Sequence, residues 1–247
     1  MSRAFESLQR LDKEQEITST EPTSIPAPVL VDRPAKSVRV GEEEVLKLVQ
    51  RVFRASNTDA PRLVVFSGIG HGDGCSWIAA NAALTLARQT TASVCVVDAN
   101  LRTPSLHRFF DMENHYGLAE SVVQPGSTRK FARQIGGSNL WVLTCGSLPL
   151  QSPAAALSSE GMRARLADLR SEFDYVLVDT SPTNLYADAI TLGRLADGII
   201  LVLQSNTTRR EAALKAKEGL ETANVRLLGA ILNKRTFPIP QNVYDWF

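Results

Sequence analysis

The residues best suited to chemistry lie in one glycine-rich stretch. Residues 68–77 read GIGHGDGCSW, between the β-branched run RLVVFS and the helical pattern IAANAALTLARQ. Strand, glycine-rich loop and helix start together make the arrangement that binds phosphate. Glycines let the backbone wrap an anion, and N–H groups with the helix dipole supply positive potential. A working loop of this kind also carries a lysine that reaches the outer phosphates and a Ser or Thr on magnesium. Gly72 and Gly74 are in place, and Ser76 provides the hydroxyl. The lysine position holds Cys75, Trp77 follows Ser76, and Asp73 adds a negative charge. His71 is the one side chain in the loop that can become a cation. From these residues alone two readings stay open: a phosphate loop, or a glycine-rich turn that binds nothing.

Two carboxylates stand at the ends of other apolar runs. Asp98 ends SVCVVD and opens ANLRTPSLHRFF; Asp179 ends YVLVD and precedes TSP. Carboxylates at strand C-termini can face a nucleotide-bound magnesium directly or through water, because magnesium keeps several waters and needs only one or two of them. A single such Asp is more often the cap of the next turn. Two of them beside a glycine-rich loop favour a shared site.

The elements that must position these residues alternate in type. RLVVFS, SVCVVD, LWVLTC, YVLVD, GIILVLQ and LLGAILN are near-continuous apolar runs, as expected of parallel strands covered on both faces. Helical patterns cover about 76–88, 161–171, 186–195 and 208–223, and another over 41–55 has Val45, Leu48, Val49 and Val52 on one face and Glu42, Glu43 and Glu44 at its start. The alternation predicts a doubly wound α/β fold with a mainly parallel sheet of the P-loop NTPase type. In such folds ligands sit beyond the carboxyl ends of the strands. Residues 1–38 read as a flexible Pro/Ser/Thr-rich arm, 39–236 as the domain and 237–247 as a short tail ending in Trp246 and Phe247.

Bulk properties narrow the function. A formal net charge of +1 and no basic stripe argue against nucleic acid as a partner. The three cysteines, Cys75, Cys95 and Cys145, are far apart and lack metal-ligand spacing, which argues against disulfides or zinc and for a reducing compartment. Cys95, Cys145 and Trp141 read as core. Cys75 at a helix start has the setting in which thiols acidify, although a small residue standing where a lysine was lost is the simpler account. The N-terminus has no apolar signal core, and no apolar run spans a bilayer. The chain is therefore expected in the cytoplasm.

From residue 43 to 234 the sequence resembles the bacterial tyrosine kinases of capsule and exopolysaccharide biosynthesis (BY-kinases), relatives of the Min/Par ATPases. The family's Walker A′ segment resembles VVDANLRTPSLHRFF, which combines Asp98, Arg102, Pro104 and His107. The later matches are Asn81-Ala82-Ala83, Gly117-Leu118, Gly146 with Pro153, FDYVLVDTSP and LLGAILNK. The resemblance implies ATP or ADP with magnesium as ligand, held by Gly72, Asp73, Gly74, Cys75, Ser76 and Trp77. Ser76, Asp98 and Asp179 would face the metal, and Asp98 would be catalytic in an active member. Asn233 would read an adenine edge, its plain alternative being a strand-end cap. His107 reads as structural, near the Arg102 turn.

The resemblance further implies a membrane-bound polysaccharide chain-length regulator or exporter as partner, a place at the inner face of the plasma membrane, and self-assembly into homo-oligomers. The departures are specific. Cys75 stands at the loop lysine, and Asn100 stands at the second acid of the family's Asp-x-Asp. The oligomerisation helix offers Glu44, Lys47 and Gln50, and one tyrosine, Tyr244, represents the C-terminal cluster. Two functions follow: a regulator that holds nucleotide without turning it over, or an active autokinase or ATPase that recruits a cation from elsewhere.

Overall fold

The structure, a computed structural model, describes residues 35–53, 60–147 and 152–235. The expected arm before residue 35 and the tail with Tyr244, Trp246 and Phe247 lie outside the described residues.

All six apolar runs form strands of one parallel array: β1 (Leu63–Gly68), β2 (Val94–Asp98), β4 (Leu140–Leu143), β5 (Tyr175–Thr180), β6 (Gly198–Gln204) and β7 (Leu227–Asn233). A seventh, β3 (Arg133–Gln134), pairs antiparallel with β4 and has no apolar signature, since both its residues are exposed. The order is β3-β4-β2-β5-β1-β6-β7. β1 thus lies between β5 and β6, and Asp98 of β2 sits in register with Asp179 of β5.

The central strands β1, β2, β5 and β6 are apolar along most of their length because both faces are covered, whereas edge strand β7 exposes Ala230 and Leu232. Val64 and Phe66 of β1 point into a layer built with α1 (Ala35–Phe53), α2 (Cys75–Gln89) and α3 (Leu106–Phe109). Leu63 and Val65 point into the opposite layer. That layer is built with α4 (Leu118–Val123), α5 (Pro153–Leu157), α6 (Glu160–Glu172), α7 (Asp188–Gly193) and α8 (Arg210–Thr222). Cys95 is buried within β2. Cys145 is also buried but lies past the end of β4, and Trp141 packs by its ring against Phe173. Short α3, α4 and α5 carry too few residues for a helical period to show in the sequence.

Helix α1 departs from expectation at its start. It begins at Ala35, so residues 35–38 are helical rather than part of the arm. After Pro34 only Gly41 opposes helix, at a cost of about 1 kcal/mol. Val45, Val49 and Phe53 are fully buried and each contribute roughly 1.5–3 kcal/mol. Glu42, Glu43 and Glu44 consequently lie in mid-helix, not in the first turn, and the dipole argument does not apply to them. Glu44 pairs instead with Lys47 at 2.7 Å on the exposed face that also carries Gln50.

Gly117 pins α4 to the end of β4. Leu118 N–H and Ala119 N–H donate to the carbonyls of Thr144 and Cys145 at 2.8 and 2.9 Å. A Cβ on Gly117 would lie 2.2 Å from the Thr144 carbonyl oxygen and 2.7 Å from Gly146 N, both backbone atoms that cannot swing aside. Gly117→Ala is expected to destabilise the domain by about 1–3 kcal/mol through this overlap, measured by thermal or urea unfolding. An unchanged midpoint would contradict the close approach.

Candidate functional site: a phosphate-type loop with a neutral residue at its cation position

The loop between β1 and α2 takes a shape that glycines allow. Gly72 and Gly74 adopt φ of 81° and 85°, in the left-handed region. Gly74 is also where another element comes closest: a Cβ there would lie 2.3 Å from Asn233 Nδ2. The loop borders a cavity of about 370 Å³. Gly72, Asp73, Gly74, Cys75, Ser76, Trp77 and Asn233 all line it, so the sequence-derived ligand set is brought together. Asn100, Thr103, Ser105, Thr180, Pro182 and Lys234 complete the opposite walls.

Individual residues do more specific work. Asp73 is buried, and its Oδ2 accepts from the N–H groups of Ile69 and Gly70, each at 2.8 Å. It closes the loop internally and takes two amides for itself. Trp77 is partly buried against the α1–α2–α3 layer and leaves the cavity open. Helix α2 begins at Cys75 with Gly74 as a cap that lends no side-chain bond, so its first turn meets the cavity uncapped. Asn233 Nδ2 donates to the Asp73 carbonyl at 2.8 Å, which makes this residue a clamp on the loop from the end of β7.

Neither acid lines the cavity; both are fully buried next to it. Asp98 holds the following turn: Oδ2 accepts from Ser105 and Leu106 N–H at 2.9 Å, and Oδ1 from Asn100 N–H at 3.2 Å. Burial pushes its pKa above the usual carboxylate value, against the pull of these three amides and of nearby His107. His107 itself buries Nδ1 without a hydrogen-bond partner. Both oxygens of Asp179 are buried with no partner. Burial first, and then the Asp98 charge, pushes Asp179 up to about 7, with Ser76 and Cys75 beside it pulling the other way. Buried carboxylate oxygens left without donors are what a cation or ordered water satisfies, so Asp179 with the Ser76 hydroxyl fits magnesium. Asp98 has only one lone pair left on Oδ1 to offer. Among the described residues no cluster of three or more His, Cys, Asp or Glu is placed to hold a metal by itself.

Cys75 is half-buried, and its thiol is pushed well above the ordinary value by burial and by the neighbouring Asp179. Burial and the Asp179 charge thus favour the neutral thiol, against the acidification that a helix start promotes. Asn100 is fixed in place. Its Oδ1 accepts from Thr103 N–H at 3.1 Å and from Ser181 Oγ at 3.0 Å, and its Nδ2 donates to Thr103 Oγ1. Arg102 is occupied by Asp188, with Nε and one terminal nitrogen at 2.9 and 3.2 Å, and lies over the Tyr186 ring.

Sequence reasoning missed Lys234. Its Nζ donates to the Gly72 carbonyl at 2.6 Å from across the loop. Its signal was its place directly after Asn233, at a strand end in a fold that binds ligands at strand ends.

No family model matches the chain. Tyrosine-protein kinase YwqD of Bacillus subtilis (strain 168) is 40% identical over 162 residues, 66% of this chain and 68% of YwqD. The solved kinase domain of Escherichia coli tyrosine kinase ETK superposes with a TM-score of 0.73 at 25% identity, over 87% of this chain and 88% of that one. The septum site-determining protein MinD of Pyrococcus horikoshii OT3, complexed with Mg-ADP, shares the fold, with a TM-score of 0.57 at 20% identity over 74% and 75% of the two chains. With these likenesses joined to the β1 loop, the Walker A′ turn and the paired strand-end acids, the chain belongs to the bacterial tyrosine kinase (BY-kinase) family of capsule and exopolysaccharide biosynthesis.

Proposed function

We propose that this chain is a nucleotide-holding regulator in the family, with little or no kinase turnover, acting through a membrane-bound chain-length regulator or exporter of the polysaccharide. The observation that carries the reading is the contrast within one loop. The glycine cradle and its cavity are open, while the position that should bring a positive charge holds a neutral thiol. Phosphoryl transfer depends on positioning and on charge stabilisation. Positioning parts are present here; the loop's own charge is not, and Asn100 removes a second charged group.

Magnesium, when bound with ATP or ADP, would neutralise phosphate charge. Asp179 and Ser76 would hold it, with Asp98 keeping the Walker A′ turn in place. No helix among the described residues is long and apolar enough to cross a membrane. The membrane-bound partner would bring the chain to the inner membrane face. The exposed Glu44, Lys47 and Gln50 of α1 form the face on which copies would assemble. Lys and Gln lack the forked donor set of Arg, so assembly is expected to be weak.

The test is incubation with labelled ATP and magnesium, alone and with the cytoplasmic segment of the membrane partner, beside calorimetry with MgADP. Expected are measurable but weak nucleotide binding and background labelling. Robust labelling of Tyr244 that disappears in Asp179→Asn would overturn the regulator reading. Asp98→Ala is the poorer control, because it strips three backbone amides of their acceptor.

A further inference from the structure

We propose that Lys234 is the cation of this phosphate site, its ammonium binding the phosphate chain of the nucleotide in place of the lysine that Cys75 displaces. The inference rests on the nucleotide reading of the cavity. It names a binding residue, not a restored catalytic one.

Among the described residues, Lys234 is the one lining the cavity that is permanently cationic. Asp73 in the same loop gives its Oδ2 to the N–H groups of Ile69 and Gly70. Lys234 is exposed, and its placement is built in two steps. Asn233 fastens the end of β7 to the Asp73 carbonyl, and Lys234 then takes a left-handed backbone, φ 55°, that turns its side chain to the Gly72 carbonyl. A non-glycine residue in that region is uncommon and needs surrounding support. Here the support is the loop itself. An ammonium has three donors, so Nζ can keep Gly72 and still donate to a phosphate oxygen. Charge-assisted bonds to phosphate are stronger than the neutral one it makes now. The cation thus reaches the loop from the strand end that closes the cavity rather than from the helix start.

Calorimetry on the full chain with MgADP, inorganic pyrophosphate and adenosine tests this, for wild type, Lys234→Gln and Lys234→Arg. Glutamine keeps a donor for Gly72 without charge. Expected is about a tenfold loss of MgADP and pyrophosphate affinity in Lys234→Gln, no loss for adenosine, and near wild-type binding in Lys234→Arg. The loss should shrink as salt rises, because added ions screen the contact. MgADP binding by wild type that is unchanged in Lys234→Gln overturns this inference and leaves the nucleotide reading standing. Equal losses for adenosine and MgADP, or a lowered melting temperature in both variants, would make Lys234 a loop clamp only and also overturn it. Absence of MgADP binding by wild type overturns both.

Discussion

Cys75→Lys is expected to tighten MgADP binding by about ten- to a hundredfold, since a charge-assisted contact contributes roughly 1.5–3 kcal/mol and each 1.4 kcal/mol is tenfold. The present side chain contributes no charge, because burial and Asp179 hold the thiol protonated. A lysine at the first residue of α2 would enter beside Asp179, whose two oxygens have no partner, and would border a cavity of about 370 Å³ that can take its length. It would add a point charge where the helix dipole already favours an anion. Calorimetry of Cys75→Lys against wild type measures the gain. In the Lys234→Gln background the gain is expected to be larger, because the two ammonium groups serve one phosphate chain. Unchanged affinity would show that the loop is limited by something other than charge, with Asp73's hold on the Ile69 and Gly70 amides the first suspect.

Asp179→Asn is expected to stabilise the ligand-free protein by about 2 kcal/mol at pH 8, or about 4–8 °C for a domain of this size. The carboxylate is fully buried, lies in register with Asp98 and has no hydrogen-bond partner. Its folded pKa of about 7 lies above the ordinary 3.8. The stability linked to keeping it protonated is therefore complete below about 4 and is lost as pH rises through about 7. Wild type should lose melting temperature between about pH 4 and 7 and level off above that, while Asp179→Asn stays flatter over that window. Magnesium with nucleotide should recover stability in wild type at pH 8 and do so far less in the variant. A gain of equal size at about pH 4 and pH 8, or none, would mean that the carboxylate is already satisfied by trapped water. The stability a functional group gives up is commonly recovered by removing it, so stabilisation paired with lost magnesium response would mark Asp179 as functional.

The six parallel strands and helices α1, α2, α6, α7 and α8 were legible because most of their residues follow local apolar patterns. Residues 63–66 (LVVF) and 199–203 (IILVL) are continuously apolar, as expected of strands covered on both faces. The short pieces were not legible. β3 has two exposed residues, and α3, α4 and α5 are each under two turns. Contacts with neighbours hold them, such as Gly117 against the Thr144 carbonyl and Ser105 and Leu106 N–H on Asp98. The start of α1 was misplaced because Gly41 and the three glutamates imitate a helix beginning, whereas packing of Val45, Val49 and Phe53 carries the helix through them.

For the site, the sequence by itself determined the loop, the loss of its lysine at Cys75 and the pair of acids, because residue identity and chain order are local facts. What each group does was decided by tertiary structure. Asp73 and Asp98 spend oxygens on backbone amides and Asp179 is left with none, a difference that residue type and chain order do not show. Asn233 and Lys234 reach that loop across 160 and 162 residues of chain. No spacing rule encodes such a contact, because it exists only once β7 closes the sheet and sets its end against the β1 loop.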